Sequence, residues 1–212
     1  LQTAQNRHNY IMSTERTGIL LLVSGPSGSG KTTLCRRLAD EGEAIYSTSC
    51  TTRPPRDGER DGHDYHFLSH EAFQQKVRDG QFLEYAEVHG NFYGTLKSEI
   101  LAHLTSGTDV VMDIDVQGAD LVRSCKDEHI HASLVDLFVM PKTESELLDR
   151  LAGRGSDAQD VIELRMKNAL GEIANWPKYT YRLLSDTREQ DYMQFKSLLL
   201  AERLKVSRLQ NQ

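Results

Sequence analysis

Cysteine is scarce in this sequence, and what there is does not pair. Cys35, Cys50 and Cys125 are odd in number, far apart and form no C-x-x-C spacing, which argues against a disulfide framework or a zinc site. Long apolar runs are missing too. The longest covers five residues, 19–23, too short for a membrane-spanning helix. Nor is there an excess of positive charge: 25 Lys+Arg face 31 Asp+Glu, a net charge of −6. Broad electrostatic binding to nucleic acid or anionic lipid is therefore not expected, and any anion must be met locally. Residues 1–16 are polar, lack the apolar centre of a secretory signal, and are read as a disordered extension outside the fold. Together these features predict a reducing, cytoplasmic setting.

What remains is an ordinary globular composition, 38% hydrophobic and 26% charged over 212 residues, which suits one domain or a core with small inserted lobes. Sixteen of the 25 cations are arginine, whose planar donor fork grips phosphate in one orientation. From residue 19 onward short β-rich runs alternate with helical patterns, the signature of an α/β fold. Strands are predicted at 19–23, 44–48, 81–88, 109–114, 132–140 and 180–184. Helical patterns follow the first strand, with Leu34, Cys35 and Leu38 on one face, and recur at 71–78 and 97–105. Thr143 and Glu146 have capping-box spacing and open a helix with Leu147, Leu148 and Leu151 on its apolar face. Gly153, Arg154 and Gly155 interrupt it before a second helix at about 157–174. A final amphipathic helix from about 189 places Tyr192, Phe195, Leu199 and Val206 together.

Chemistry is concentrated first at Gly25, Pro26, Ser27, Gly28, Ser29, Gly30, Lys31 and Thr32, a G-x-x-x-x-G-K-[ST] run between a predicted strand and a predicted helix. That context is the one the phosphate-loop motif requires. Glycines let backbone N–H groups converge on phosphate oxygens, Lys31 reaches the β- and γ-phosphates, and the Thr32 hydroxyl meets magnesium. A carboxylate for the metal should end a neighbouring strand, and Asp113 does so; in isolation it could equally cap the following helix. A nucleoside triphosphate with Mg²⁺ is the expected ligand. Arg53 and Arg56, three apart in a loop stiffened by Pro54 and Pro55, can aim at one further anion, although a solvated basic loop would read the same way.

The runs Ser24–Thr32, Thr51–Glu59, Gly62–Tyr65, Phe82–Glu84, Gly90–Thr95 and Asp113–Gly118, in this order, resemble a bacterial guanylate kinase. The resemblance extends from residue 19 nearly to the C-terminus. It implies a P-loop NTPase fold with a parallel core sheet flanked by helices (17–48, 96–141 and 175–212), a small mixed GMP-binding lobe (49–95) and a helical lid (about 142–174). It further implies that Thr33 joins the loop in binding ATP. Arg53, Arg56, Tyr65 and Tyr93 would hold the GMP phosphate, Ser49, Glu84, Thr95 and Asp115 the guanine, and Arg150, Arg154 and Arg165 the transferring phosphoryl group. Ser185-Asp186 stands where relatives often carry Asn-Asp near the adenine.

The reaction so implied is ATP + GMP giving ADP + GDP by in-line transfer. No general base is needed, because the attacking phosphate oxygen is already ionised and the obstacle is repulsion between polyanions. Two other readings share the fold: a guanylate-kinase-like module that binds phosphopeptides, whose phosphate loop is typically degraded, and a related phosphate-loop kinase with another acceptor. ATP and GMP are the expected partners, without nucleic acid or membrane; a homo-oligomer is left open.

Overall fold

The computed structural model describes residues 16–88, 90–152 and 159–209. Strand β1 (Leu20–Ser24) leads through the glycine loop into helix α1 (Lys31–Asp40) and the short β2 (Ile45–Tyr46). A smaller lobe follows, made of β3 (Cys50–Thr51), β4 (His66–Phe67), α2 (His70–Arg78), β5 (Phe82–Val88) and β6 (Asn91–Leu96). The chain returns through α3 (Lys97–Thr105), β7 (Val110–Asp113), α4 (Val116–Arg123), α5 (Glu128–Ser133) and β8 (Leu134–Pro141). Helices α6 (Glu144–Ala152) and α7 (Gln159–Ile173) then precede β9 (Tyr181–Ser185) and α8 (Arg188–Arg203).

Two sheets result. The larger runs β2-β7-β1-β8-β9, and every neighbouring pair in it is parallel. The five-residue apolar run is its centre, buried along its whole length, as expected of a strand covered on both faces. Ile19, Leu21 and Val23 pack against Leu34, Cys35 and Leu38 of α1 and Tyr192, Phe195 and Leu199 of α8. Leu20 and Leu22 face the opposite layer, with Ile100, Leu104, Ala119, Val122 and Ile130. The smaller sheet runs β4-β3-β6-β5 and has its own aromatic centre: Phe73 stacks on Phe82 at 4.3 Å and on Phe92 at 5.4 Å between ring centroids. Leu147 and Ala169 form a separate contact between α6 and α7.

Several expectations are corrected. Val206 is 80% exposed, because α8 ends at Arg203 and a 3₁₀ turn follows. Leu148 faces solvent while Leu147 is buried; the side chain of Leu151 lies outside the described residues. Arg16, set aside with the extension, belongs to the fold. Its guanidinium meets buried Asp109 at 2.6 and 2.8 Å, and the same carboxylate accepts from the Ile19 N–H and from Arg203, each at 2.8 Å. One buried anion thus ties the start of the core to its last helix. Residues 1–15 lie outside the described residues, and among those described no helix is long and apolar enough to cross a membrane.

Candidate active site

The loop after β1 turns back on itself to start α1, and three glycines of positive φ, Gly25, Gly28 and Gly30, make that turn. Gly25 has φ +145°, and a Cβ there would stand 2.0 Å from the Val139 carbonyl oxygen; Gly30, the residue before α1, is left-handed at φ 95°. Neither position tolerates a side chain without strain. The Lys31 ammonium donates to the carbonyls of Gly25 at 2.7 Å and Pro26 at 3.1 Å, so the loop is drawn round its cation. Ser29 Oγ is buried without a hydrogen-bond partner among the described residues, a hydroxyl a phosphate oxygen would satisfy.

The parallel register pairs Val23 with Asp113 and brings the carboxylate beside the loop, where the Thr32 hydroxyl donates to it. Asp113 is not the helix cap. That role belongs to Asp115, whose Oδ1 accepts from the Gly118 N–H at 2.7 Å at the start of α4. A hydroxyl and a carboxylate facing one another, both hard oxygen donors, fit Mg²⁺, which takes few protein ligands and completes its shell with phosphate oxygens and water. Among the described residues there is no group of three or more His, Cys, Asp or Glu side chains that could hold a metal ion.

On one side of this pair lies a polar cavity of about 120 Å³, lined among others by Ser49, Tyr65, Glu84, Thr95 and Asp113. Antiparallel pairing of β5 with β6 sets Glu84 opposite Thr95. Burial, chiefly, raises the Glu84 carboxyl above the ordinary range; a hydrogen bond from Thr95 opposes that rise and the nearby charge of Asp115 adds to it. Arg36 and Tyr46 also line the cavity, the guanidinium 5.1 Å from the ring centroid. The sequence reading missed both, though Arg36 could have been found as a cation on the α1 face opposite Leu34, Cys35 and Leu38.

Around the rim, Tyr65 stands edge-on to Tyr93 at 6.1 Å, and Arg53 lies over Tyr65 at 5.4 Å. Arg53 is held by both oxygens of Glu59, at 2.8 and 3.0 Å, while the Arg56 backbone N–H donates to the same carboxylate at 2.8 Å. Glu59 therefore organises the two arginines, a role the sequence reading did not give it.

On the other side of the loop a cavity of about 700 Å³ is lined by Gly28, Ser29, Gly30, Thr33 and Arg37, and also by Arg150, Ser185, Asp191 and Tyr192. Arg37 lies 3.9 Å over the Tyr192 ring and pairs with Glu189 at 2.8 Å. Arg165 is half-buried on α7; Arg154, with Gly153 and Gly155, lies outside the described residues. Glu172, also on α7, is close enough to Lys31 and Asp115 to respond to their charges, and burial raises its carboxyl. Helical spacing alone gave no hint of that residue.

A phosphate cradle at the carboxyl ends of a parallel sheet, with a polar cavity beside Asp113 and a second one beside the loop, defines a phosphate-loop nucleotide-binding protein. A family model described as guanylate kinase matches residues 17–202, and the chain belongs to that family. The guanylate kinase of Maricaulis maris is 41% identical over 196 residues, which cover 92% of this chain and 88% of that one. That of Syntrophotalea carbinolica is 42% identical over 200 residues, 93% and 92% of the two chains. The crystal structure of guanylate kinase from Anaplasma phagocytophilum superposes with a TM-score of 0.71 at 29% identity, covering 92% of this chain and 90% of that one.

Proposed function

We propose that this protein transfers the γ-phosphoryl group of ATP to GMP, giving ADP and GDP, in purine nucleotide metabolism and in a cytoplasmic compartment. The observation that carries this reading is the placement of two cavities on either side of the loop, with Asp113 lining the smaller and Gly28–Gly30 the larger. In this reading the donor lies in the larger cavity with its phosphates on residues 25–33, and GMP enters the smaller one. Mg²⁺, held by Thr32 and, through water, by Asp113, would offset phosphate charge.

Lys31 leaves the loop carbonyls to follow the transferring phosphoryl group. Arg53 and Arg56, with Tyr65 and Tyr93, hold the GMP phosphate against the electrostatic repulsion of the donor, and Arg150, Arg154 and Arg165 gather on the phosphoryl group as residues 142–174 close as a lid. Preorganised positive charge of this kind is most of what phosphoryl transfer requires, and closure keeps water from taking the phosphoryl group.

Base choice follows from the hydrogen-bond inventory. Ionised Glu84 and Asp115 only accept, which suits the N1–H and N2 amino donors of guanine, and the Ser49 hydroxyl can donate to O6, while Thr95 acts at the base through the hydrogen bond it gives Glu84. Adenine reverses that pattern and leaves both carboxylates unpaired. A site of this type discriminates by about 10⁴-fold, so kcat/KM for GMP should exceed that for AMP by about that margin at saturating Mg·ATP. Comparable rates on the two nucleotides would overturn the guanine assignment.

A further inference from the structure

Ser185, the last residue of β9, is buried at 3% exposure beside the larger cavity, and Asp191, in the first turn of α8, is buried at 6%. A carboxylate so placed needs its oxygens occupied. Asp191 Oδ1 accepts the Asp186 backbone N–H at 2.7 Å, and Oδ2 accepts the Ser185 hydroxyl at 2.7 Å. The position of Asp191 in the first turn of a 16-residue helix adds a favourable dipole.

The direction of these bonds matters. A serine hydroxyl has one proton, and here Asp191 takes it, so Ser185 Oγ can offer only lone pairs to anything else. What it meets is Arg150, whose Nη1 donates to it at 3.0 Å. Arg150 comes from the last turn of α6, on the segment between β8 and β9, and lines the same cavity as Gly28 and Gly30. A neutral serine with a free proton could turn it toward the arginine and lose the contact; the carboxylate behind it forbids that orientation.

We propose that Ser185 and Asp191 are positioning residues for Arg150: the Asp191 carboxylate commits the Ser185 hydroxyl as an acceptor, and that acceptor holds the Arg150 guanidinium over the phosphate loop. The inference rests on the reading that the larger cavity takes the phosphoryl donor. Asp191 carries half of the device, since a hydroxyl alone would not fix the direction. The arginine is thereby ordered by an acceptor that carries no charge of its own. Its remaining N–H groups stay available to a polyanion instead of being neutralised by a direct carboxylate pair.

The test is a double-mutant cycle on steady-state kinetics with Mg·ATP and GMP, using Ser185→Ala, Asp191→Asn and Arg150→Ala singly and in pairs, with thermal unfolding to verify that each is folded. Ser185→Ala should lower kcat/KM for Mg·ATP about tenfold, the effect of one charge-assisted hydrogen bond, and leave KM for GMP within about twofold. Asp191→Asn should give a loss of the same kind, because its amide can donate to Ser185 and free the hydroxyl proton. In the Arg150→Ala background both changes should alter kcat/KM for ATP by less than about twofold, since the arginine they orient is gone. Effects that multiply undiminished in that background would overturn the relay and leave a general packing role. Asp191→Asn, should it fail to fold, leaves Ser185→Ala to decide the question by the same cycle. A wild-type protein that makes no GDP would overturn the activity and the relay together, whereas an active wild type with multiplying effects overturns the relay alone.

Discussion

Glu59 grips the Arg53 guanidinium with both carboxylate oxygens, at 2.8 and 3.0 Å, and with one of them also takes the Arg56 backbone N–H at 2.8 Å. An acidic residue set between two arginines meant for a phosphate can act in two opposite ways. It can compete with the incoming anion, or it can hold a proline-stiffened loop in the conformation the anion needs. The bond to the Arg56 backbone favours the second, because it fixes the loop and spends no guanidinium donor. Glu59→Ala should therefore raise KM for GMP about fivefold with a smaller change in kcat, the loss of an ordering contact. A lowered KM in that variant would show competition instead.

Lys31 is anchored on the carbonyls of Gly25 and Pro26 and stands beside the Thr32–Asp113 pair. Its charge counts most when charge is moving between the two nucleotides, and it makes no contact with the cavity assigned to GMP. Lys31→Ala should cut kcat by about 10²–10³-fold, as removal of one transition-state donor does. Titration calorimetry should find GMP affinity within about threefold of wild type. Lost GMP binding with turnover intact would mean that donor and acceptor sides are exchanged.

Much of this arrangement was legible in the sequence, for physical reasons that differ from place to place. A strand buried on both faces must be apolar throughout, so residues 19–23 declared themselves; glycine, lysine and threonine at fixed offsets did the same for the loop. Helix α3 carried a clear pattern and occupies 97–105 as expected. Strands β3 and β4 have two residues each, which is too few to show a period, and α5 with six is too short to show a face. The choice between Asp113 and Asp115 as helix cap is a matter of one turn of backbone, and composition cannot make it. Glu59 sat in plain view within the arginine motif. Its role needed the loop to fold so that a residue six positions on meets Arg53, and nothing in a linear pattern encodes that.

Asp109 gives a test of stability kept apart from chemistry. Its side chain is 1% exposed and satisfies Arg16, Arg203 and the Ile19 N–H, all at the amino end of β1 and β7, whereas the phosphate loop leaves the carboxyl end of β1. Replacing it by alanine takes the carboxylate from Arg16 and the Ile19 N–H, while Arg203 keeps Glu43 at 2.9 and 2.6 Å, and breaking a buried pair in this way costs about 3–5 kcal/mol. Chemical denaturation of Asp109→Ala should show a loss of that size. Under conditions where the variant remains folded, kcat/KM for GMP should match wild type within about twofold, and a larger loss would mean that the two ends of the sheet are coupled.

Glu84 combines a binding role with a cost. Burial raises its carboxyl above the usual value, against a hydrogen bond from Thr95, so the folded protein holds this proton more tightly than the unfolded chain does. Its contribution to folding is therefore fully present at low pH and is lost as pH rises through the raised value. Guanine needs the opposite state, since its N1–H and N2 amino groups must find an ionised acceptor. As pH falls through the raised value, KM for GMP should climb by up to about tenfold per pH unit, the limit for one proton released on binding. The GMP phosphate also titrates, so Glu84→Gln is the control. The variant should bind GMP more weakly throughout, keep only the phosphate's share of the slope, and unfold at a higher temperature than wild type at neutral pH, where an ionised buried carboxylate is no longer present. Equal slopes in the two proteins would remove Glu84 from the base site, and a less stable Glu84→Gln protein at neutral pH would show that the ionised carboxylate is satisfied in the fold before any nucleotide arrives.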